Sequence, residues 1–115
     1  MKRTALLLAV MAAALVVASG AALAATYVGT NKGETLVGTG YADTIDAKDG
    51  DDVVRGLGGS DTISGGDGTD RQYGGSGDDT IRTQGGFRDF VDCGDGVDTA
   101  FVDRKDRAVN CERLI

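Results

Sequence analysis

The chain has 115 residues, of which 18 are acidic and 12 are basic, so its formal net charge is −6. This charge disfavours nucleic acid and anionic membranes as partners and favours cations. Histidine is absent, which excludes imidazole bases, His-containing catalytic triads and HExxH zinc sites. Residues 25–115 hold most of the 19 glycines and are poor in large apolar residues, so apolar burial alone would barely fold them, and we expect a bound metal to contribute.

Residues 1–24 have the pattern of a cleaved signal peptide. A basic start, Met1-Lys2-Arg3, precedes an apolar run from Ala5 to Val17, and the small residues of Ala22-Leu23-Ala24 predict cleavage after Ala24. The alternative is a membrane anchor, but this apolar run is shorter than the ~20 residues that cross a bilayer. No cysteine lies at the cleavage site, so we do not expect a lipid anchor there. We therefore predict a secreted, extracellular protein of residues 25–115, with a net charge of −8 after the loss of Lys2 and Arg3.

An aspartate then returns every nine residues, with one spacing of ten. These aspartates are Asp43, Asp52, Asp61, Asp70, Asp79, Asp89 and Asp98. Glycines precede each aspartate, and an apolar residue follows two places later in most units, at Ile45, Val54, Ile63, Ile81, Val91 and Ala100. The pattern predicts a glycine-rich turn of six residues followed by a strand of three.

The most regular units are Gly-Gly-Ser-Gly-Asp-Asp-Thr-Ile-Arg at residues 74–82 and Gly-Leu-Gly-Gly-Ser-Asp-Thr-Ile-Ser at residues 56–64. They resemble the G-G-x-G-x-D-x-U-x nonapeptide of the RTX, or haemolysin-type, calcium-binding proteins. The resemblance implies an all-β fold, a parallel β-roll or right-handed β-solenoid, with about four coils of 18 residues stacked at ~4.8 Å. The alternative, a flexible Gly/Asp-rich linker, does not explain the regular apolar residue.

Stacking would place the acidic residues in two columns. Asp43, Asp61, Asp79 and Asp98 would form the first, and Glu34, Asp52, Asp70 and Asp89 the second. Neighbouring carboxylates would repel by ~1 kcal/mol per pair even at the dielectric of water. Calcium relieves this repulsion because it accepts roughly six to eight oxygens from carboxylates and backbone carbonyls.

The resemblance also implies where calcium binds, namely between two turns on the same edge. It gives about three well-formed sites, which pair residues 47–52 with 65–70, 56–61 with 74–79, and 74–79 with 93–98. The implied ligand turns contain Asp52, Asp61, Asp70, Asp79, Asp98, Gly50, Gly56, Gly58, Gly59, Gly65, Gly68, Gly74, Gly77 and Gly96. The turns that end at Asp43 and Asp89 depart from the motif, through Tyr41 and an extra residue respectively, and are assigned as poor sites. Glu34 is expected to cap the roll.

Cys93 and Cys111 are the only cysteines and lie 18 residues apart, or one coil. Neighbouring coils at ~4.8 Å satisfy the Cα separation of a disulfide, roughly 4.4 to 6.8 Å. We predict a bond that ties a C-terminal cap, about residues 93–115, to the roll. The end of the chain is similar to the ends of other small exported proteins with these repeats, and the alternative of two free thiols does not suit export.

Three features depart from the repeat or lie outside it. Gln72 takes an apolar position, which predicts a local weakness in one sheet. A row of threonines should face outward at Thr44, Thr62, Thr80 and Thr99, and strand propensity explains it better than a surface for ordered water. The basic residues near the end, Arg104, Lys105, Arg107 and Arg113, suggest a solvated cap, or alternatively a docking patch for an acidic partner.

The sequence therefore predicts an exported calcium-binding β-roll that is not an enzyme and whose folding is coupled to Ca2+. Calcium ions are the expected partners, with no nucleic acid, no membrane after signal cleavage, and no identified protein or polysaccharide. One alternative is a calcium-dependent adhesion or surface-interaction module. Another is a small hydrolase that uses a pair of the repeat carboxylates.

Overall fold

The computed structural model describes residues 24–85 and 87–115. The predicted signal peptide, apart from Ala24, lies outside these residues. The described part folds into eleven short strands: β1 Thr26–Val28, β2 Thr35–Val37, β3 Thr44–Asp46, β4 Val53–Arg55, β5 Thr62–Ser64, β6 Arg71–Tyr73, β7 Thr80–Arg82, β8 Phe90–Asp92, β9 Thr99–Phe101, β10 Arg107–Val109 and β11 Arg113–Leu114. In this part of the chain, no helix is long and apolar enough to cross a membrane.

Consecutive strands alternate between two parallel sheets. The odd-numbered strands form a six-stranded sheet in the order β1-β3-β5-β7-β9-β11, and the even-numbered strands form a five-stranded sheet in the order β10-β8-β6-β4-β2. Residues 18 apart are paired, as Ile45 with Ile63 and Ile63 with Ile81. This confirms the parallel β-roll. The roll has about five coils, more than the approximate four of the sequence interpretation, because β1, β2, β10 and β11 extend the stack at both ends.

Each sheet contributes one row of apolar side chains to the core. The middle residue of each strand faces inward, and the flanking residues face outward, as expected from the two-residue period of a strand. The buried middle residues include Tyr27, Leu36, Ile45, Val54, Ile63, Ile81, Val91 and Ala100. With one apolar residue per three-residue strand, the core is thin.

The extra residue near Asp89 does not disturb the stacking. Gln72 pairs with Val91, and Ile81 pairs with Ala100. Paired residues on either side of the insertion are therefore 19 residues apart instead of 18, and the strands keep their register. Because the additional residue lies in the turn between β7 and β8, it leaves the strands aligned. The sheet also continues through β6 despite Gln72, since β6 pairs with both β4 and β8.

Glycine is required where a turn contacts the turn of the coil before it. Gly77 has a φ of 98°, and a Cβ on this residue would overlap the carbonyl oxygen of Gly59. Gly75 has a φ of 84°, and its Cβ would overlap the carbonyl oxygen of Leu57. The turns can therefore stack this closely only without side chains at these positions.

The threonine row and the basic residues near the C-terminus lie on the outside of the roll, as the sequence predicted. The threonine row is present, since Thr44 pairs with Thr62, Thr62 with Thr80, and Thr80 with Thr99, and Thr26 extends it by one coil. The basic residues of the C-terminal end are all exposed: Arg104, Lys105, Arg107 and Arg113.

Candidate metal centre

The two predicted columns of acidic residues are present at the two edges of the roll. We call the edge with Asp43, Asp61, Asp79 and Asp98 the first edge, and the edge with Glu34, Asp52, Asp70 and Asp89 the second edge. On the first edge, the backbone N–H of Asp61 donates to Oδ1 of Asp79 at 2.8 Å, and that of Asp79 donates to Oδ1 of Asp98 at 2.7 Å. On the second edge, the N–H of Asp52 donates to Oδ1 of Asp70 at 2.8 Å. One carboxylate oxygen thus joins each coil to the coil before it.

The other oxygen of these carboxylates has no partner. Among the described residues, buried Oδ2 atoms without a hydrogen bond occur at Asp52, Asp61, Asp70, Asp79, Asp89 and Asp98. All six side chains are buried, with exposures of 0 to 2 %. A buried carboxylate oxygen without a donor is unfavourable, so each of these atoms requires a cation or a proton.

Backbone carbonyls of the following coil approach the unpartnered oxygens on the first edge. A Cβ placed on Gly56 would lie 2.5 Å from Oδ2 of Asp61 and 2.8 Å from the carbonyl oxygen of Gly74. A Cβ on Gly74 would lie 2.5 Å from Oδ2 of Asp79 and 2.7 Å from the carbonyl oxygen of Cys93. Oxygens of two successive turns therefore converge beside the first glycine of the turn, where a side chain would block them.

The donor chemistry of these places fits calcium. Within residues 24–85 and 87–115, no three His, Cys, Asp or Glu side chains converge as they would in a site built from side chains alone. The oxygens that do converge are carboxylate and carbonyl oxygens, which are the hard ligands that Ca2+ prefers. The turns on each edge stack as the sequence predicted, whereas their role as ligands remains a prediction.

Burial raises the pKa of the column aspartates whose Oδ2 has no partner. The pKa of Asp52, Asp61 and Asp89 rises to about 7, and that of Asp70 and Asp79 to about 8. Loss of solvation is the main cause. A hydrogen bond from a backbone N–H partly opposes it, and neighbouring carboxylates raise the pKa further. Without a cation, these five aspartates therefore retain protons near neutral pH.

The two irregular turns differ from each other. Oδ2 of Asp43 accepts the backbone N–H of Thr39 at 2.6 Å, so the carboxylate is already satisfied within its own turn. Oδ2 of Asp89 has no partner, like those of the regular turns. In its turn, Thr83 replaces the first glycine, and its hydroxyl donates to Oδ2 of Asp106 at 2.6 Å. The two turns that depart from the motif therefore differ in structure. The carboxylate of Asp43 is bonded within its own turn, whereas Oδ2 of Asp89 has no hydrogen-bond partner.

Acidic residues that the nine-residue period does not include extend the columns. The backbone N–H of Asp89 donates to Oδ1 of Asp106 at 3.0 Å, and that of Asp98 donates to Oε1 of Glu112 at 2.8 Å. These pairs are 17 and 14 residues apart, so the repeat spacing missed them. At the other end, the carboxylate of Glu34 accepts the N–H of Thr30 at 2.6 Å, a contact within one turn that agrees with a capping role.

The predicted disulfide between Cys93 and Cys111 is confirmed. The two Cα atoms are 5.1 Å apart, and the bond joins the turn after β8 to the turn after β10. Cys93 occupies the place of a first glycine and is fully buried. The bond therefore holds the C-terminal cap on the last regular turn of the first edge.

Comparison with known families supports the same interpretation. The model of the RTX calcium-binding nonapeptide repeat (4 copies) matches residues 28–63, 46–81 and 64–100. Comparison with curated proteins and with solved structures gave no match. The three matches together cover more than half of the chain and all the regular turns described above. The chain belongs to the RTX calcium-binding nonapeptide-repeat family, and it is a calcium-binding β-roll.

Proposed function

We propose that the protein is exported, that its folding is coupled to calcium, and that it acts without catalysis. The observation that carries this proposal is the set of six buried carboxylate oxygens without partners. Calcium, when bound, would supply positive charge between successive carboxylates and would replace the missing hydrogen-bond donors. The chain would thus need calcium to stabilise the closed stack.

The proposed ligands are the unpartnered Oδ2 atoms and the carbonyl oxygens of the turns that face them. The pairs are residues 47–52 with 65–70, 56–61 with 74–79, and 74–79 with 93–98. In each pair, Oδ1 keeps its bond to the backbone of the preceding coil, so Oδ2 is the atom left for the ion. The free Oδ2 of Asp89 makes it a further candidate ligand, whereas Asp43 is the weakest candidate because Thr39 already donates to it.

Coupling between binding and folding is supported by the thin core. Each strand contributes one inward-facing residue, and the columns place buried carboxylates beside it. When a metal site forms only in the folded state, the free energy of binding adds to the free energy of folding. Calcium would therefore shift the chain from an unfolded or partly folded ensemble to the β-roll.

Export is supported by the disulfide, which is typical of oxidising compartments, and by the predicted signal peptide. The absence of catalysis is supported by the position of the carboxylates. The column aspartates are buried between coils, and a surface groove of about 250 Å³ beside β9 includes a single carboxyl group, that of Asp103. A glycosidase-type mechanism uses a pair of carboxyl groups at one accessible site.

A calcium titration of the exported protein, followed by circular dichroism, tests the proposal. In chelator at a pH above about 8, where the column aspartates are ionised, we expect little β signal, and we expect it to rise cooperatively as calcium is added. Magnesium should act poorly, because it requires near-octahedral geometry and releases its waters reluctantly. Identical spectra with and without calcium would contradict coupled folding.

A second candidate function is a calcium-dependent surface interaction. The outward face of the five-stranded sheet carries an arginine and two aromatic side chains in contact. The guanidinium of Arg55 lies 4.9 Å from the ring centre of Tyr73, whose ring centre is 6.0 Å from that of Phe90. Such a face suits a polysaccharide, since aromatic rings stack on sugars and arginine donates hydrogen bonds to their hydroxyl groups. Calcium-dependent retention on a polysaccharide that is lost in Tyr73→Ala would support this function.

A further inference from the structure

Apart from the hydroxyl of Tyr27 in β1, the side chain of Gln72 carries the one polar group in the inward-facing row of strands β1 to β9. It lies in the middle of β6, between Val54 of β4 and Val91 of β8. The residue is 0 % exposed, and neither its Nε2 nor its Oε1 has a hydrogen-bond partner. A buried carboxamide without partners is unfavourable, so this side chain needs a polar neighbour that protein atoms do not provide.

The amide of Gln72 and the unpartnered oxygen of Asp70 lie beside the same glycine, Gly65. A Cβ placed on Gly65 would lie 2.7 Å from Nε2 of Gln72 and 2.8 Å from Oδ2 of Asp70. At Gly56 and Gly74, the equivalent point is close to an aspartate oxygen and a backbone carbonyl of the following coil. At Gly65, the glutamine amide takes the place of that carbonyl among the nearest atoms.

This difference between Gly65 and the glycines at 56 and 74 occurs next to the coil in which the repeat is interrupted. The coil after Gly65 contains the extra residue and has Thr83 in the place of the first glycine, with its hydroxyl bonded to Asp106. A carboxamide oxygen is a ligand that calcium accepts, as it accepts a backbone carbonyl. A rotation of the amide by 180° exchanges Nε2 and Oε1 and brings the oxygen toward the same point.

We propose that Gln72 is a calcium ligand at the turn of residues 65–70. Its side-chain oxygen would take the place of a backbone carbonyl from the following coil, which contains Thr83 and the extra residue. This inference rests on the proposed calcium-dependent function and adds a ligand from inside the core. A hydrogen bond from the amide to Asp70 would be the competing arrangement, with nitrogen in the place of the cation. Nε2 and Oδ2 lie near the same point without bonding to each other, which favours a third group between them.

Two substitutions of Gln72 test whether this residue is a calcium ligand or only a polar residue that the core tolerates. Gln72→Val restores the apolar residue of the repeat and matches its neighbours Val54 and Val91, and Gln72→Met keeps the length of the side chain without its amide. If Gln72 is a ligand, both variants should bind one calcium ion fewer, or bind one ion about tenfold or more weakly. Calorimetric titration with calcium and native mass spectrometry of the exported protein measure these quantities. Ile63→Val, a conservative change in the other sheet, is the control and should keep the ion count.

Each outcome decides between the alternatives. An unchanged ion count and affinity together with a higher melting temperature would overturn the inference, since Gln72 would then only weaken the core. One additional ion in the variants would also overturn it, because the amide would have occupied the place of the cation. Failure of both variants to fold in calcium, with Ile63→Val folded, would support it, because both changes make the core more apolar. Absence of calcium binding by the wild type would overturn the proposed function as well, whereas normal binding by wild type and variants alike would overturn this inference alone.

Discussion

At the scale of single residues, the two oxygens of each column aspartate have different roles. In Asp79, Oδ1 accepts the backbone N–H of Asp61, and Oδ2 has no partner. The first oxygen fixes the spacing of the coils, and the second is available for a cation. An aspartate whose two oxygens are both bonded within the protein should therefore matter less for calcium.

Asp79→Asn should weaken calcium-induced folding more than Asp43→Asn does. Asp79 lies in an interior turn that two proposed sites share, whereas Oδ2 of Asp43 accepts the N–H of Thr39 and belongs to an irregular turn. We expect the calcium midpoint of Asp79→Asn to rise by about tenfold or more and that of Asp43→Asn to change little. Circular dichroism titrations of the two variants provide the comparison. Equal midpoints and amplitudes would mean that the turns bind cations independently of their position in the stack.

The raised pKa values predict that protons compete with calcium. Burial raises the pKa of Asp70 and Asp79 to about 8, far above the ordinary value of 3.8. Without calcium, these two carboxyl groups therefore bind more protons in the folded state than in the unfolded state between about pH 4 and pH 8. The stability that they contribute is complete below about pH 4 and is lost as the pH rises through their folded-state pKa of about 8. We expect calcium-free protein to lose β signal as the pH is raised from 5 to 9.

The protonation of the column aspartates also predicts how pH changes the calcium affinity. Calcium must displace the protons that the columns retain, so the calcium midpoint should be higher at pH 5.5 than at pH 8. Titrations at the two pH values in the same ionic strength measure this shift. A midpoint that does not depend on pH would show that the column carboxylates are ionised before calcium binds.

At the scale of the turn and strand, the fit between successive turns depends on glycine. Gly77→Ala would place a methyl group against the carbonyl oxygen of Gly59 at a φ of 98°, whereas a Cβ on Gly40 would meet no atom within 4 Å. The strained conformation alone should destabilise the Gly77 variant by about 1 to 3 kcal/mol. We expect a lower melting temperature in saturating calcium for Gly77→Ala and little change for Gly40→Ala. Similar melting temperatures would show that the turns can separate without loss of the roll.

The sequence was sufficient to predict the elements that follow the nine-residue period. The aspartate and the apolar residue two places later predicted the inward rows and both columns, and the 18-residue spacing predicted the disulfide. The period could not show that Asp106 and Glu112 continue the columns, because the turns before them are shorter and their spacings are 17 and 14 residues. Nor could it show that the amide of Gln72 and Oδ2 of Asp70 lie beside the same glycine, Gly65, since this depends on side-chain direction within the core.

At the scale of the whole molecule, the roll is a stack in which each strand contacts the strands one coil away. Its two ends are closed in different ways. The N-terminal end has the bond from the N–H of Thr30 to Glu34 within one turn, whereas the C-terminal end has the bond between Cys93 and Cys111 across one coil. Stability in such a stack passes between neighbouring coils, so an end coil can open without the interior.

The double variant Cys93→Ala/Cys111→Ala should therefore open the C-terminal end alone. A disulfide that closes a loop of this length contributes roughly 3 kcal/mol. Strands β10 and β11 each pair with a single neighbour, so they have few other contacts to replace the bond. Alanine suits the fully buried position of Cys93 better than a polar residue does.

Hydrogen exchange in saturating calcium resolves the effect along the chain. We expect the amides of β10 and β11 to lose protection in the double variant, while those of β3 to β7 keep it because their proposed calcium sites are intact. Wild-type protein treated with a reductant should show the same pattern, which separates loss of the bond from an effect of the substitutions. Equal loss of protection from β3 to β11 would contradict independent opening of the end. The roll would then unfold as a single cooperative unit in which the disulfide stabilises every calcium site at once.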